Sequence, residues 1–165
     1  MIRYHYNIMF IIFIYLMNKD KLNWGHITWI LFHTLVEKIN QNQYQQIGPM
    51  ILNIIKSICS ILPCPICKEH ATAYVKDVKF KKHLPTKEHM KQFFYHFHNN
   101  VNIKTKKPIY PYENMNKYNN GNVRIIYKNF CILHNKNYGN PRMMANNIKK
   151  QYIFKNLNTI INKYY

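Results

Sequence analysis

The stretch Cys64-Pro65-Ile66-Cys67, with Ile51-Leu52-Asn53-Ile54-Ile55-Lys56-Ser57-Ile58 ahead of it, decides the fold. The apolar residues upstream fall at helical spacing, so the first cysteine follows an amphipathic helix and not a strand. A thioredoxin-like redox turn sits in a βαβ pattern, and that context is missing here. Pro65 suits the first position of a new helix, which puts Cys64 at the N-cap and Cys67 in the first turn. Both thiols then feel the positive end of the helix dipole, which lowers a thiol pKa. Taken alone, the pair admits three readings: a redox couple, half of a zinc site, or an incidental pair.

Composition narrows the choice. The 165 residues suffice for one domain with its own core. The net charge of +18 is uneven: all six acids (Asp20, Glu37, Glu69, Asp77, Glu88, Glu113) lie before residue 114, and nine Lys/Arg with no acid follow. Such a tail is drawn to nucleic acid, an anionic surface or an acidic partner by non-specific electrostatics, unless it is simply a solvated tail. Four cysteines (Cys59, Cys64, Cys67, Cys131) are too few and too irregular for a secreted disulfide scaffold, so chemical thiols are expected.

Residues 1–20 hold the apolar run Ile8 to Met17, short of the roughly 20 residues a spanning helix needs. It reads as a weak membrane anchor or as the product of a misplaced start, ahead of a cleaved signal. Asn23 is a suitable N-cap for a helix from Trp24 to about Asn40. Along it Ile27, Leu31 and Leu35 make one stripe, and Gly25, Trp29 and His33 make another on a roughly opposite face. The second stripe combines a residue without a side chain, a flat aromatic and an imidazole, and so suits a planar ligand.

Gly48-Pro49 is expected to start a second helix, with Ile47, Ile51, Ile54, Ile55, Ile58 and Leu62 inward and Pro63 ending it. The helix of Cys67 continues through His70 and Val75 into the basic segment Lys76 to His83. A fourth helix, capped by Thr86, runs to about Asn102 with Met90, Phe93, Phe94, Phe97 and Val101 inward and His98 and Asn102 on its other side. Four helices with short connections imply an all-α bundle. Beyond Pro108, Ile109 to Asn122 reads as loop and Val123 to Leu133 as a short strand or helix. Arg142 to Tyr164 reads as an amphipathic helix with Met144, Ile148, Tyr152, Ile153, Leu157 and Ile160 on its apolar side.

Together these segments resemble the Erv/ALR family of FAD-linked sulfhydryl oxidases, in the compact form found in large DNA viruses. Trp24-Gly25-His26-Ile27-Thr28-Trp29-Ile30-Leu31-Phe32-His33 is similar to the family's GxxxWxxxH helix, with its frequent WG start. Leu62-Pro63-Cys64-Pro65-Ile66-Cys67-Lys68-Glu69-His70-Ala71 is similar to its PCxxC redox motif, and Phe97-His98-Asn99-Asn100-Val101-Asn102-Ile103-Lys104-Thr105-Lys106-Lys107-Pro108 to its HNxVNxKxxKP-type flavin segment. Many members carry a structural disulfide where this chain has Tyr95 and Tyr112, so both halves are missing together. No second CxxC or CxC shuttle is present.

The resemblance implies a four-helix bundle with a short extra helix holding FAD noncovalently over residues 21–113, followed by a basic extension over 114–165. It implies oxidation of protein thiols to disulfides, with electrons passing through the Cys64-Cys67 disulfide and FAD to O2 to give H2O2. Catalytic residues are Cys64 and Cys67, with no metal. Trp24, Gly25, Trp29 and His33 would contact the flavin; His98, Asn99, Val101 and Asn102 would hold the adenine-ribose side, with Lys104 and Lys107 near the phosphates. The outer Cys64 would take the substrate's attack and the inner Cys67 would face the flavin. Partners would be a thiol-bearing protein or a thioredoxin-like relay and a second copy in a homodimer, in host cytoplasm or virion. Because the three motifs end before the basic tail, the tail is expected to be dispensable for chemistry. Two readings compete: a zinc module on Cys64, Cys67 and His70 with Cys59 or His83, and a nucleic-acid-binding protein using Lys128, Arg142, Lys149, Lys150 and Lys155.

Overall fold

The computed structural model describes residues 23–135 and 144–165. Among them every regular element is helical: α1 (Trp24–Glu37), a 3₁₀ turn (Gln41–Gln43), α2 (Tyr44–Cys59), α3 (Pro65–Lys76), α4 (Phe80–His83), α5 (Lys87–Lys104), a 3₁₀ segment (Tyr112–Asn120), α6 (Val123–Asn135) and α7 (Met144–Tyr164). The fold is all-α, as the sequence pattern implies. The N-terminal apolar run lies outside the described residues, and among those described no helix is long and apolar enough to cross a membrane.

The helix starts follow local chemistry. The Asn23 side chain accepts from Gly25 N and His26 N at 2.9 and 3.0 Å, which fixes the first turn of α1. Thr86 does the same for α5 through His89 N. Pro65 opens α3 directly after the Cys64 cap. The second helix departs from expectation: it begins at Tyr44 and carries Pro49 inside it. Tertiary contact explains the earlier start, because the Tyr44 ring is buried and its hydroxyl donates to the Leu84 carbonyl at 2.8 Å. Gly48 is required at this crossing, since a Cβ there would lie 2.5 Å from the Phe80 ring of α4.

Helix α1 is the hub: it packs against α5, α6, α2 and the long 3₁₀ segment, while α2 packs against α3, α4 and α7. Ile27, Leu31 and Leu35 are completely buried, together with Ile51, Ile55 and Ile58 of α2 and Phe94 of α5. Each such side chain contributes about 1.5–3 kcal/mol through burial. Phe93 and Val101, expected inside, are only half-buried against this core.

The region after residue 114 differs most from expectation. Val123 to Leu133 is helix and not strand, and Val123, Ile126 and Phe130 join the core. So do Ile153, Phe154, Leu157, Ile160 and Ile161 of α7. The apolar stripe of α7 is rotated from the one read in the sequence, leaving Ile148 75% and Tyr152 67% exposed. Lys150 occupies a stripe position instead, buried with its Nζ donating to the His134 carbonyl at the end of α6, 2.8 Å away. It supplies the hydrogen bond that the last carbonyls of a helix otherwise lack. The described part of the basic extension is thus packed into the core.

Where the resemblance implied a missing staple, Tyr95 and Tyr112 meet edge-on with ring centroids 5.0 Å apart, and the Tyr112 hydroxyl bonds the Glu88 carboxylate. Two aromatic rings occupy the place of the cross-link, joining α5 to the 3₁₀ segment.

Candidate active site

The site has two parts, joined through α5. The first is the Cys64–Cys67 disulfide at the start of α3, with Cα atoms 5.2 Å apart. Cys64 is the N-cap, and its Sγ accepts the Cys67 N–H at 3.2 Å. Helical spacing puts Cys67, His70, Ala71 and Tyr74 on one side of α3. That side faces α5: His70 Nε2 lies 3.1 Å from Asn100 Oδ1, and the Tyr74 ring stacks on Phe97 at 4.3 Å.

Both cysteines are half-buried, so direction and not depth distinguishes them. The sulfur that receives a helix N–H is Cys64, so on reduction the stabilised thiolate is the one at the cap. The other cysteines contrast with this pair. Cys59 is fully buried and its thiol is pushed up to about 12 by burial; burial also raises that of half-buried Cys131.

His70 sits one turn after Cys67. With Nε2–H donating to Asn100 Oδ1, its Nδ1 is left as a proton acceptor. Burial and then the nearby Lys104 charge lower its pKa against the opposing pull of the Asn100 bond, so the ring is neutral at pH 7.

The second part is a stack of rings drawn from three elements. Trp29 of α1 lies on His98 of α5 at 4.3 Å and 8°, and His98 in turn faces Tyr110 at 5.5 Å and 16°. His33, one turn after Trp29, brings its Nε2 to 2.9 Å from His98 Nδ1 and stacks on Tyr118. Burial, then the charges of His98 and Lys117, hold His33 well below its ordinary pKa. Burial, then His26, Lys107 and Lys117, bring His98 down to about 4. Both imidazoles are neutral at pH 7. The His33 Nδ1 is buried with no hydrogen-bond partner.

Buried Asn99 fixes the connection that delivers Tyr110. Its Oδ1 accepts the Tyr110 N–H at 2.7 Å and its Nδ2 donates to the Tyr110 carbonyl at 3.1 Å. Asn102, also buried, donates to Asn99 Oδ1, and its carbonyl accepts the Lys107 N–H. Lys104 and Lys107 are exposed at the end of α5, and Val101 is half-buried. Of the residues expected to contact a flat cofactor, Trp29, His33 and His98 converge, with Asn99 and Asn102 behind them. Trp24 turns away toward α6, edge-on to His134 at 6.2 Å, and the Gly25 N–H is held in the Asn23 cap. Sequence reasoning missed Tyr110, Tyr118 and Asn100. The 3₁₀ segment carries no period to flag its tyrosines.

The zinc reading loses its residues, and the nucleic-acid reading loses one of its five. For zinc, Cys64 and Cys67 are bonded to each other and Cys59 is fully buried; among the described residues no three His, Cys, Asp or Glu side chains are grouped to hold a metal. For nucleic acid, Lys150 is buried and bonded inside the fold, Lys128, Lys149 and Lys155 are exposed, and Arg142 lies outside the described residues.

A sequence model described as the Erv1 / Alr family matches residues 26–120. Two proteins named putative FAD-linked sulfhydryl oxidases are similar to the chain. One, 096R of Invertebrate iridescent virus 3, is 29% identical over 92 residues, covering 56% of this chain and 62% of its own length. The other, 347L of Invertebrate iridescent virus 6, is 29% identical over 93 residues, covering 53% of this chain and 84% of its own. The chain therefore spans less than two thirds of the first of them. No solved structure gives a match. The family match takes in the Trp29 and His33 face, the disulfide and the His98 segment, the same residues that the fold gathers around α5, and so the chain belongs to the Erv1/Alr family.

Proposed function

We propose that this protein is an FAD-dependent thiol oxidase that introduces disulfides into protein substrates, 2 RSH + O2 → RSSR + H2O2. The observation that carries the reading is a disulfide at a helix N-terminus whose Cys67 side faces α5, the helix that bears the His98 ring stack. The names of the viral relatives support the cofactor and the class of reaction. The residues fit such a group: stacked rings, a buried His33 Nδ1 lacking a partner, and exposed Lys104 and Lys107 for phosphates. Trp29, His33 and, from the helix start, Gly25 would meet the isoalloxazine, while Trp24 packs on His134 instead; His98, Asn99, Val101 and Asn102 would hold the adenine-ribose end. Bound FAD would accept two electrons from the reduced cysteine pair and return them to dioxygen.

The protein's own part is thiol exchange. A substrate thiolate attacks Cys64 Sγ, the Cys64–Cys67 bond breaks, and Cys67 leaves as a thiolate on the side of α3 that faces α5. A second substrate thiolate attacks the substrate sulfur of the mixed disulfide and releases Cys64 as a thiolate, held by the Cys67 N–H. His70 Nδ1, neutral at pH 7, takes a proton released at this end of α3. The substrate is a thiol-bearing protein or a thioredoxin-like relay, and the enzyme acts as a homodimer in a viral setting, in host cytoplasm or virion.

The test is the visible spectrum of purified protein together with oxygen uptake on dithiothreitol. A flavin spectrum and stoichiometric peroxide are expected. Cys64→Ser and Cys67→Ser should abolish uptake, whereas Cys59→Ala and Cys131→Ser should keep most of it. A colourless, well-folded protein would overturn the reading.

A further inference from the structure

Opposite the Cys67 side of α3 runs an open groove of about 500 Å³ lined by Ser60, Lys68, Glu69, Thr72, Ala73 and Lys76. Its volume is in the range of ligand sites. Its floor is apolar in character, made of Ala73, the Thr72 methyl and the stems of two lysines whose charged heads reach water. Lys68 directly follows Cys67 in the chain, and Ile66 between the two cysteines is 80% exposed. Lys79, Lys81 and Lys82 follow Lys76 within six residues, all exposed. Over Lys68 to His83 the chain carries five lysines against Glu69 and Asp77. Lys56, the other cation nearby, is already committed to the Lys76 and Val78 carbonyls at the end of α3.

We propose that this groove is the docking site of the protein substrate, which lies in it as an extended segment whose acidic residues meet Lys68, Lys76 and the lysines beyond. The proposal rests on the oxidase reading and names the substrate's chemistry. Geometry sets the spacing. The twelve residues from Cys64 to Lys76 advance about 18 Å along a helix, which an extended chain spans in roughly five or six residues. The acidic residues are therefore expected about that far from the substrate's reactive thiol, while Ile66 offers an apolar contact beside the thiol itself. The two sides of α3 then divide the work: one admits the substrate and the other faces α5.

The experiment uses the full chain and pairs of sixteen-residue fluorescent peptides, one with a Glu run five or six residues from a central position and one with Lys there. With serine at that position, binding is read by anisotropy without turnover; with cysteine, turnover is read. The Glu peptide should bind at least about tenfold more tightly, and the double variant Lys68→Glu/Lys76→Glu should invert the preference. Reversing Lys149 and Lys155, exposed on α7, should leave the preference intact. Equal binding of both peptides, or equal loss of preference from groove and α7 reversals, would overturn the proposal in favour of general attraction to a basic molecule. An oligonucleotide that bound more tightly than the Glu peptide and was lost in the groove variant would overturn it too. Dithiothreitol oxidation by the wild type separates the two layers: if it is absent, the oxidase reading fails; if it is present with no peptide preference, only the groove fails.

Discussion

Helix α1 carries two buried histidine contacts on two faces, and they belong to different parts of the chain. On one face His33 meets His98, within the family-matched stretch. On the other, Thr28 Oγ1 donates to the Trp24 carbonyl at 2.6 Å and lies 2.9 Å from His134 Nε2 of α6, beyond that stretch. Both contacts are 2.9 Å long, and in both the histidine's Nδ1 is buried without a partner. They differ in surroundings. The first is lined by rings from three elements with lysines nearby, an arrangement suited to a ligand. The second is enclosed by Trp24, Phe130 and Phe154, an arrangement suited to holding helices together. The same chemical device lies in the proposed cofactor site on one side and serves architecture on the other.

The strongest way to break this comparison is to remove the second face. A chain ending at residue 120 loses α6, which packs on α1, and α7, which packs on α2. It should fail to unfold cooperatively at 25 °C. Phe130→Ala, a completely buried ring on α6, should cost about 3–5 kcal/mol in urea unfolding. A stable, flavin-binding 1–120 chain would show instead that the extension is an accessory.

Next in size is the division of labour. Trp29→Ala and His98→Ala should strip most of the flavin, read by absorbance, while far-UV circular dichroism stays helical. Thr28→Val leaves His134 Nε2 without its partner and should cost about 1–3 kcal/mol of stability while flavin content per folded molecule is kept. If Thr28→Val also emptied the protein of flavin, the two faces would be one unit.

Acid provides a finer test. His98 and His134 are both lowered to about 4, chiefly by burial, from an ordinary value of 6.5. The unfolded chain takes up these protons near pH 6.5 and the native one only near pH 4. Their contribution is therefore complete above pH 6.5 and is lost as pH falls toward 4. Each should withdraw on the order of 3 kcal/mol across that window. Urea midpoints between pH 8 and 4 should fall accordingly, and His98→Gln or His134→Gln should each flatten part of the slope. A slope untouched by either variant would mean that neither ring is neutral in the native protein.

Much of this was legible because caps and periods are local. Asn23, Thr86 and Cys64-Pro65 announce helix starts, and Ile27, Leu31 and Leu35 announce a core stripe. What was not legible depends on partners distant in the chain. Pro49 looks like a helix start, yet burial of Tyr44 carries α2 five residues further back. Lys150 looks like a surface charge, yet it replaces an apolar residue because α6 needs a donor at its end. Tyr110 reaches the stack from the connection after α5 and Tyr118 from the 3₁₀ segment, neither with an apolar period, so only the folded chain reveals them.

The smallest effect is expected at the strained end of α5. Lys106, just past α5, has φ 55°. The Lys106 N–H bonds the Ile103 carbonyl at 3.1 Å and the Lys107 N–H the Asn102 carbonyl at 2.8 Å, the pairing of a Schellman cap. The left-handed position of that cap favours glycine, and a lysine there costs about 1–2 kcal/mol of backbone strain. Lys106→Gly relieves the strain but adds freedom to the unfolded chain, so the net gain should be only about 0.5–1 kcal/mol, or roughly 1–3 °C in Tm. The turn also aims the chain so that Tyr110 returns to Asn99 and the His98 ring. Since the two Asn99–Tyr110 hydrogen bonds hold that return on their own, flavin content should not change. A more stable protein with weaker flavin binding would mean that the lysine's restricted backbone helps set the ring stack, and that strain on this face of α1 has a role which the architectural face lacks.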